Sequence, residues 1–173
     1  KPDSAIFRQR DAFYIPSWTK DVHYELEVVV RIHRLGKNIE PRFAPKYFTD
    51  FTVGIDFTAR DVQSELKSKG LPWEKAKAFD QSAVLGDFLS VADHDINNLN
   101  FQLKKNGEVV QDGNTSLMIH DIPHIIEHCS QYFTLKIGDL IFTGTPAGVG
   151  PVAPGDLLEG YIEGKKVLNV KIR

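Results

Sequence analysis

Residues 23–32, HYELEVVVRI, alternate polar and apolar for four positions and then run apolar, the pattern of a strand whose second half is buried on both faces. Residues 48–57, FTDFTVGIDF, form a second β-rich run, in which Gly54 permits close backbone approach. A helix is predicted from Thr58-Ala59-Arg60-Asp61 to about Lys69. Thr58 is its expected N-cap, Asp61 faces the positive end of its macrodipole, and Gly70 and Pro72 stop it. Residues 8–19 read as loop or short edge strand, residues 41–47 as a connecting loop, and residues 75–79 as a basic loop. Residues 100–103 and 108–110 flank Asn106-Gly107, a strong hairpin signal, and residues 111–115 read as a second polar turn. Ser116 is expected to cap a stretch leading into a helix over 122–132, with Pro123 in its first turn and Ile125, Ile126 and Cys129 as its apolar stripe. Residues 140–143 form a short strand that ends in a glycine loop, 144–150, and residues 152–173 hold two or three more strands. Many short strands with two short helices predict an α+β, mainly β fold in a single domain.

Composition narrows the function classes. A net charge of -2 gives no electrostatic footprint for nucleic acid or an anionic membrane surface. No apolar run approaches the ~20 residues that span a bilayer. The single cysteine, Cys129, allows no internal disulfide and fits a reducing cytoplasm.

Chemistry enters with the acidic residues. Glu25 and Glu27 leave the same face of a strand, next to an apolar run, where two carboxylates repel unless a cation or protons intervene. A hard divalent metal resolves that conflict; a solvent-facing edge pair is the alternative. Asp56 ends the second β run just before the helix. With Glu25 and Glu27 it would make an all-oxygen site suited to Mg²⁺, Mn²⁺ or Ca²⁺ and poorly suited to zinc; alone it could equally be a helix-approach residue. Arg60 and Gln63 lie on the polar side of the helix, facing either the metal or solvent. Lys77 belongs to a lysine-rich stretch whose plain reading is a solvated loop. The glycine loop offers backbone N–H groups at Gly144 and beyond, and the Thr145 hydroxyl, to an anion. It is neither a Walker loop nor a dinucleotide fingerprint. His120, His124 and His128 recur every four residues, but no H-E-x-x-H accompanies them and zinc is the weaker reading.

Taken in order, Y-E-x-E, T-V-x-x-D-x-x-A-R-D-x-Q, K-x-F-D, N-G-E-V-x-Q-x-G-N-T-S-x-M-I and G-D-L-I-x-T-G-T-P-x-G-V-G make the chain resemble the fumarylacetoacetate hydrolase family over its whole length. The resemblance implies a mixed β-roll or sandwich, usually a homodimer, with Mg²⁺ or Mn²⁺ (Ca²⁺ as a further option) on Glu25, Glu27 and Asp56. It places substrate contacts at Arg60, Gln63 and the Gly144-Thr145 loop, and active-site roles at Lys77 and Thr145. It also implies a small 2-oxo or 1,3-dioxo acid substrate worked on through an enolate, with acylpyruvate-type C–C bond hydrolysis as the leading reaction and isomerisation or decarboxylation as the others. Two departures stand out. The family's G-R-N-Y-x-x-H-x-x-E segment would precede the K-P-D-S that opens this chain, so a short N-terminal segment is expected upstream. The usual asparagine before the metal aspartate is Ile55. Without the acid–base pair, a metal-bound scaffold that binds oxo acids and does not turn them over is the alternative to an enzyme.

Overall fold

The stretch 23–32 is two strands rather than one. In the computed structural model, which describes residues 1–8 and 12–173, the ladder breaks at Glu25 and the chain passes from one sheet into another. In chain order the strands are β1 (Ile6–Arg8), β2 (Ala12–Phe13), β3 (Val22–Tyr24), β4 (Leu26–Ile32), β5 (Phe48–Asp56), β6 (Thr58–Ala59) and β7 (Ala83–Leu85). They continue with β8 (Leu89–Ser90), β9 (Asn100–Lys105), β10 (Glu108–Asn114), β11 (Leu140–Phe142), β12 (Gly150–Pro151), β13 (Leu157–Ile162) and β14 (Lys165–Ile172). Three α-helices accompany them: α1 (Arg60–Ser68), α2 (Glu74–Lys77) and α3 (Ile122–Tyr132).

Among the described residues these strands form three sheets. The largest runs β1-β7-β5-β4-β11, with β8 beside β5; the second runs β10-β9-β13-β14-β2; the third is β12-β3-β6. The pairs β1–β7 and β14–β2 are parallel and the others antiparallel, so the fold is the mixed, mainly β class expected. β4 lies between β5 and β11, and Val28, Val29 and Val30 are all buried, as their apolar run predicts. Each such side chain contributes roughly 1.5–3 kcal/mol of burial. The second sheet packs across β4 and β5. A Cβ on Gly160 would stand 3.1 Å from Val53 and 3.6 Å from Leu26, which leaves no layer between the sheets.

The hairpin is present, with Asn106 and Gly107 at φ +54° and +89°, both in the region a tight two-residue turn needs. Other local readings change. Residues 111–114 continue β10 instead of turning, because backbone pairing with β9 holds them extended. Asp121, accepting from the His124 N–H at 2.9 Å, caps α3 in place of Ser116, which lies in a 3-10 turn. Thr58 does not cap α1. It is buried in β6, and Asp61 instead ties the helix start to Thr19 and to the Lys20 N–H. The connection 41–47 holds a 3-10 helix, Pro41–Lys46. The basic loop 75–79 contains the one-turn α2, which buries Ala76. Of the stretch 8–19, residues 9–11 lie outside the described residues, and the remainder includes β2. Among the described residues no helix is long and apolar enough to cross a membrane.

Candidate metal centre

The break between β3 and β4 is what builds the site. Glu25 occupies the break, Glu27 follows two residues later in β4, and Asp56 is the last residue of β5. The β4–β5 register sets Leu26 opposite Ile55 and Glu27 opposite Gly54, and the Asp56 N–H donates to the Glu25 carbonyl at 2.8 Å. Each of the three residues can present a carboxylate oxygen such that all three lie within 4.8 Å of one another. All three residues are buried, so the solvent-facing edge pair is set aside. Gly54 is required here: a Cβ on it would sit 2.7 Å from the Val84 carbonyl oxygen. Ile55, the departure from the family pattern, is fully buried in the core.

Cations surround two of the three carboxylates. Lys77 Nζ lies 2.7 Å from Glu25 Oε2 and 2.8 Å from Asp56 Oδ2, bridging them. Arg60 Nη2 donates to Glu25 Oε1 at 2.6 Å, and Nη1 donates to Gln63 Oε1 at 2.6 Å. Lys1 Nζ stands 2.6 Å from Asp56 Oδ1. That last contact is an ion pair, and Asp56 Oδ1 is buried with no further partner among the described residues. Burial favours neutral Glu25, but Lys77 and Arg60 outweigh it and hold the carboxyl below its ordinary range. Burial likewise works against the Lys77 ammonium, and Asp56 and Glu25 overcome it, raising its pKa.

Glu27 is the exception. The Gly144 N–H donates to it at 2.6 Å, and among the described residues no cation pairs with it directly. Burial, aided by the charges of Asp56 and Glu25, pushes it up to about 7. A buried carboxylate without its own cation, beside two others, is an electrostatic deficit that a hard divalent ion fits in charge and in donor type. The deficit fixes a pH dependence. Below the ordinary value of 4.5 the group is protonated folded or unfolded and contributes nothing; above about 7 it is ionised in both. Metal-free stability therefore falls by about 3 kcal/mol as pH rises through that window. Since the ion takes the carboxylate, binding is expected to release close to one proton per ion at pH 6 and only about 0.1 at pH 8. Calorimetry in two buffers of different ionisation enthalpy measures this, and no release at pH 6 would contradict it.

The glycine loop closes the site. Thr143 Oγ1 donates to the Val28 carbonyl at 2.9 Å, and Gly144, at φ +98°, turns its N–H onto Glu27. Gln111, which sequence reasoning passed over as part of a turn, is the strut behind this loop. Its Oε1 accepts from the Leu26 N–H at 2.9 Å, while Nε2 donates to Thr145 Oγ1 at 2.8 Å and to the Pro146 carbonyl at 3.0 Å. Thr145 thus receives one hydrogen bond and keeps its own O–H to donate. The loop also lines an open cleft of about 700 Å³ with Phe101, Met118 and Ile119, but none of the three carboxylates faces that cleft. The histidine row does not assemble. His124 pairs with Asp121 at the start of α3, and Glu25, Glu27 and Asp56 form the one metal-competent group among the described residues.

A family profile described as fumarylacetoacetate (FAA) hydrolase, C-terminal, matches residues 1–173. The oxaloacetate tautomerase YcgM of Escherichia coli is 42% identical over 95% of this chain and 76% of its own length. The mitochondrial oxaloacetate decarboxylase of Dictyostelium discoideum is 39% identical over 95% of this chain and 76% of its own length. Among solved structures, the fumarylpyruvate hydrolase of Pseudomonas aeruginosa, in complex with Mn²⁺ and pyruvate, superposes with a TM-score of 0.94. It is 33% identical, with 99% of this chain and 76% of that one covered. Motif order, sequence relatives and solved folds agree from end to end, and the chain belongs to the fumarylacetoacetate hydrolase family.

Proposed function

We propose that this protein enolises a small 2-oxo acid in a divalent-metal site, most simply as a tautomerase or decarboxylase of the oxaloacetate class. The observation that carries the reading is the convergence of Glu25, Glu27 and Asp56 with the Lys77 ammonium bridging two of them. Glu25, Glu27 and Asp56 would hold the ion, which when bound supplies Lewis acidity toward the keto oxygen of the substrate. The chain's own groups do the rest. Lys77, which bridges Glu25 and Asp56, would be available to an anionic substrate oxygen if those carboxylates held an ion. Arg60, steadied by Gln63, keeps Glu25 ionised and adds positive charge that favours a carboxylate. Thr145 donates the O–H that Gln111 leaves free.

Cations and hydrogen-bond donors stabilise negative charge developing on an oxygen; they do not activate water. Loss of CO₂ from a 3-carboxylated 2-oxo acid needs only that stabilisation, because the electrons of the breaking C–C bond enter the enolate. Tautomerisation also needs an acceptor for the C3 proton, and the C–C bond hydrolysis implied by the resemblance needs a base for water. The names of the relatives near 40% identity support the oxaloacetate class. Hydrolysis would share the enolate step.

A panel of enol-oxaloacetate, keto-oxaloacetate, an acylpyruvate and a dienedioate, assayed with Mg²⁺ and Mn²⁺, tests the proposal. Metal-dependent turnover of the oxaloacetate forms is expected, with oxalate competing as a planar enolate mimic. Metal-dependent oxalate binding with no turnover of any member would favour the scaffold instead. Thr145→Val is expected to lower kcat by ~10–10²-fold with KM little changed, since its donor matters most as charge grows on the oxygen. A change confined to KM in steady-state kinetics would remove Thr145 from that role.

A further inference from the structure

Two lysines meet Asp56, one at each oxygen. Lys77 Nζ takes Oδ2 at 2.8 Å and Lys1 Nζ takes Oδ1 at 2.6 Å. Their other attachments differ. Lys77 Nζ is otherwise held by Glu25 at 2.7 Å, so it stands between two of the three candidate ligands. Lys1 touches one of the three and is tied on its far side to Ser82, 3.1 Å from the carbonyl oxygen and 3.0 Å from the hydroxyl. Ser82 is a rigid anchor. It is fully buried, its carbonyl also accepts from the Phe57 N–H at 2.9 Å, and its hydroxyl donates to the Lys77 carbonyl at 3.0 Å.

A divalent ion among the carboxylates therefore meets two ammonium groups that respond differently. Lys77 bridges two of the three carboxylates that would hold the ion, and among the described residues they are what hold its ammonium, so an ion would compete with it directly. Lys1 sits to the side, with Ser82 holding it whether or not the triad is filled. Asp56 then has one oxygen committed to Lys1 and one to give.

From this geometry we infer that Lys1 is a positioning residue that sets the metal preference of the site, by keeping Asp56 monodentate. A small octahedral ion such as Mg²⁺ is satisfied by single oxygens and retained waters. Ca²⁺ gains from bidentate carboxylates and a larger coordination shell, which a fixed ammonium on Oδ1 denies it. The inference rests on the metal reading proposed above and adds to it which ion the site favours and why.

Calorimetric titration of Mg²⁺ and Ca²⁺ into the metal-free wild type, K1M and K1R gives the test without an activity assay. K1M frees Oδ1, and the ratio of the Ca²⁺ to the Mg²⁺ dissociation constant is expected to fall by about tenfold or more, the scale of outer-shell effects on metal sites. K1R retains a cation that can reach Asp56 and Ser82, and its ratio is expected to stay within about 1.5-fold of wild type. Should K1M not fold, S82A removes half of the anchor and is expected to lower the ratio by about threefold. An unchanged ratio in K1M (or, if K1M does not fold, in S82A) overturns the inference, as does equal weakening of both ions, which is what a merely structural lysine would give. Wild-type protein that binds neither ion overturns the metal reading itself, and the inference with it.

Discussion

Lys77→Met is expected to lower turnover on the order of 10³-fold while metal binding tightens. The two effects move in opposite directions because the same ammonium plays two parts. In the metal-free fold it bridges Glu25 and Asp56 and so competes with the ion for both. Removing it leaves the carboxylates repelling one another more strongly, which lowers metal-free stability and raises affinity for the dication that relieves the repulsion. In the catalytic state the ammonium is a charge aimed at an oxygen that becomes more negative, and its loss falls mainly on kcat. Lys77→Arg should recover little of the rate, since a planar fork cannot replace a compact charge on a short path. Steady-state kinetics and calorimetry on the same preparation separate the two parts. Weaker metal binding in Lys77→Met, with turnover preserved, would make Lys77 a structural counter-ion only.

The parts of this site that could be read from the chain are those whose chemistry is local. Spacing by two brings Glu25 and Glu27 close, although Glu25 lies in the break between β3 and β4 and not in one continuous strand as the alternation suggests; Asp56 does stand at a strand end, and the three carboxylates cluster. The break at Glu25 could not be read, because the apolar pattern is continuous across it and only the pairing partners change. Lys77 was visible only through the family motif. The lysine-rich stretch around it reads as a solvated loop, and it turns inward because the single turn of α2 buries Ala76 beside it. Gln111 followed a rule that failed. Gln-Asp-Gly-Asn is turn chemistry by composition, yet pairing with β9 keeps it in a strand and carries Gln111 under the glycine loop. The cap of α3 was available and missed: Asp121, two residues before Pro123, is a stronger helix-start signal than the distant Ser116.

On the proposed reading, Glu25, Glu27 and Asp56 together hold a divalent ion in the folded protein. Scanning calorimetry of wild type and Asp56→Ala, each with and without Mg²⁺ or Mn²⁺, tests it most directly. An ion that binds the folded state alone adds about 2.7 kcal/mol at a hundredfold excess over Kd, and each kcal/mol moves the midpoint of a chain this size by roughly 2–4 °C. Wild type is therefore expected to gain several degrees, and more at pH 8 than at pH 5, where the proton on Glu27 competes with the ion. Asp56→Ala is expected to fold and to show no metal-dependent shift at either pH. A variant that keeps the full wild-type shift would place the ion elsewhere and contradict the assignment.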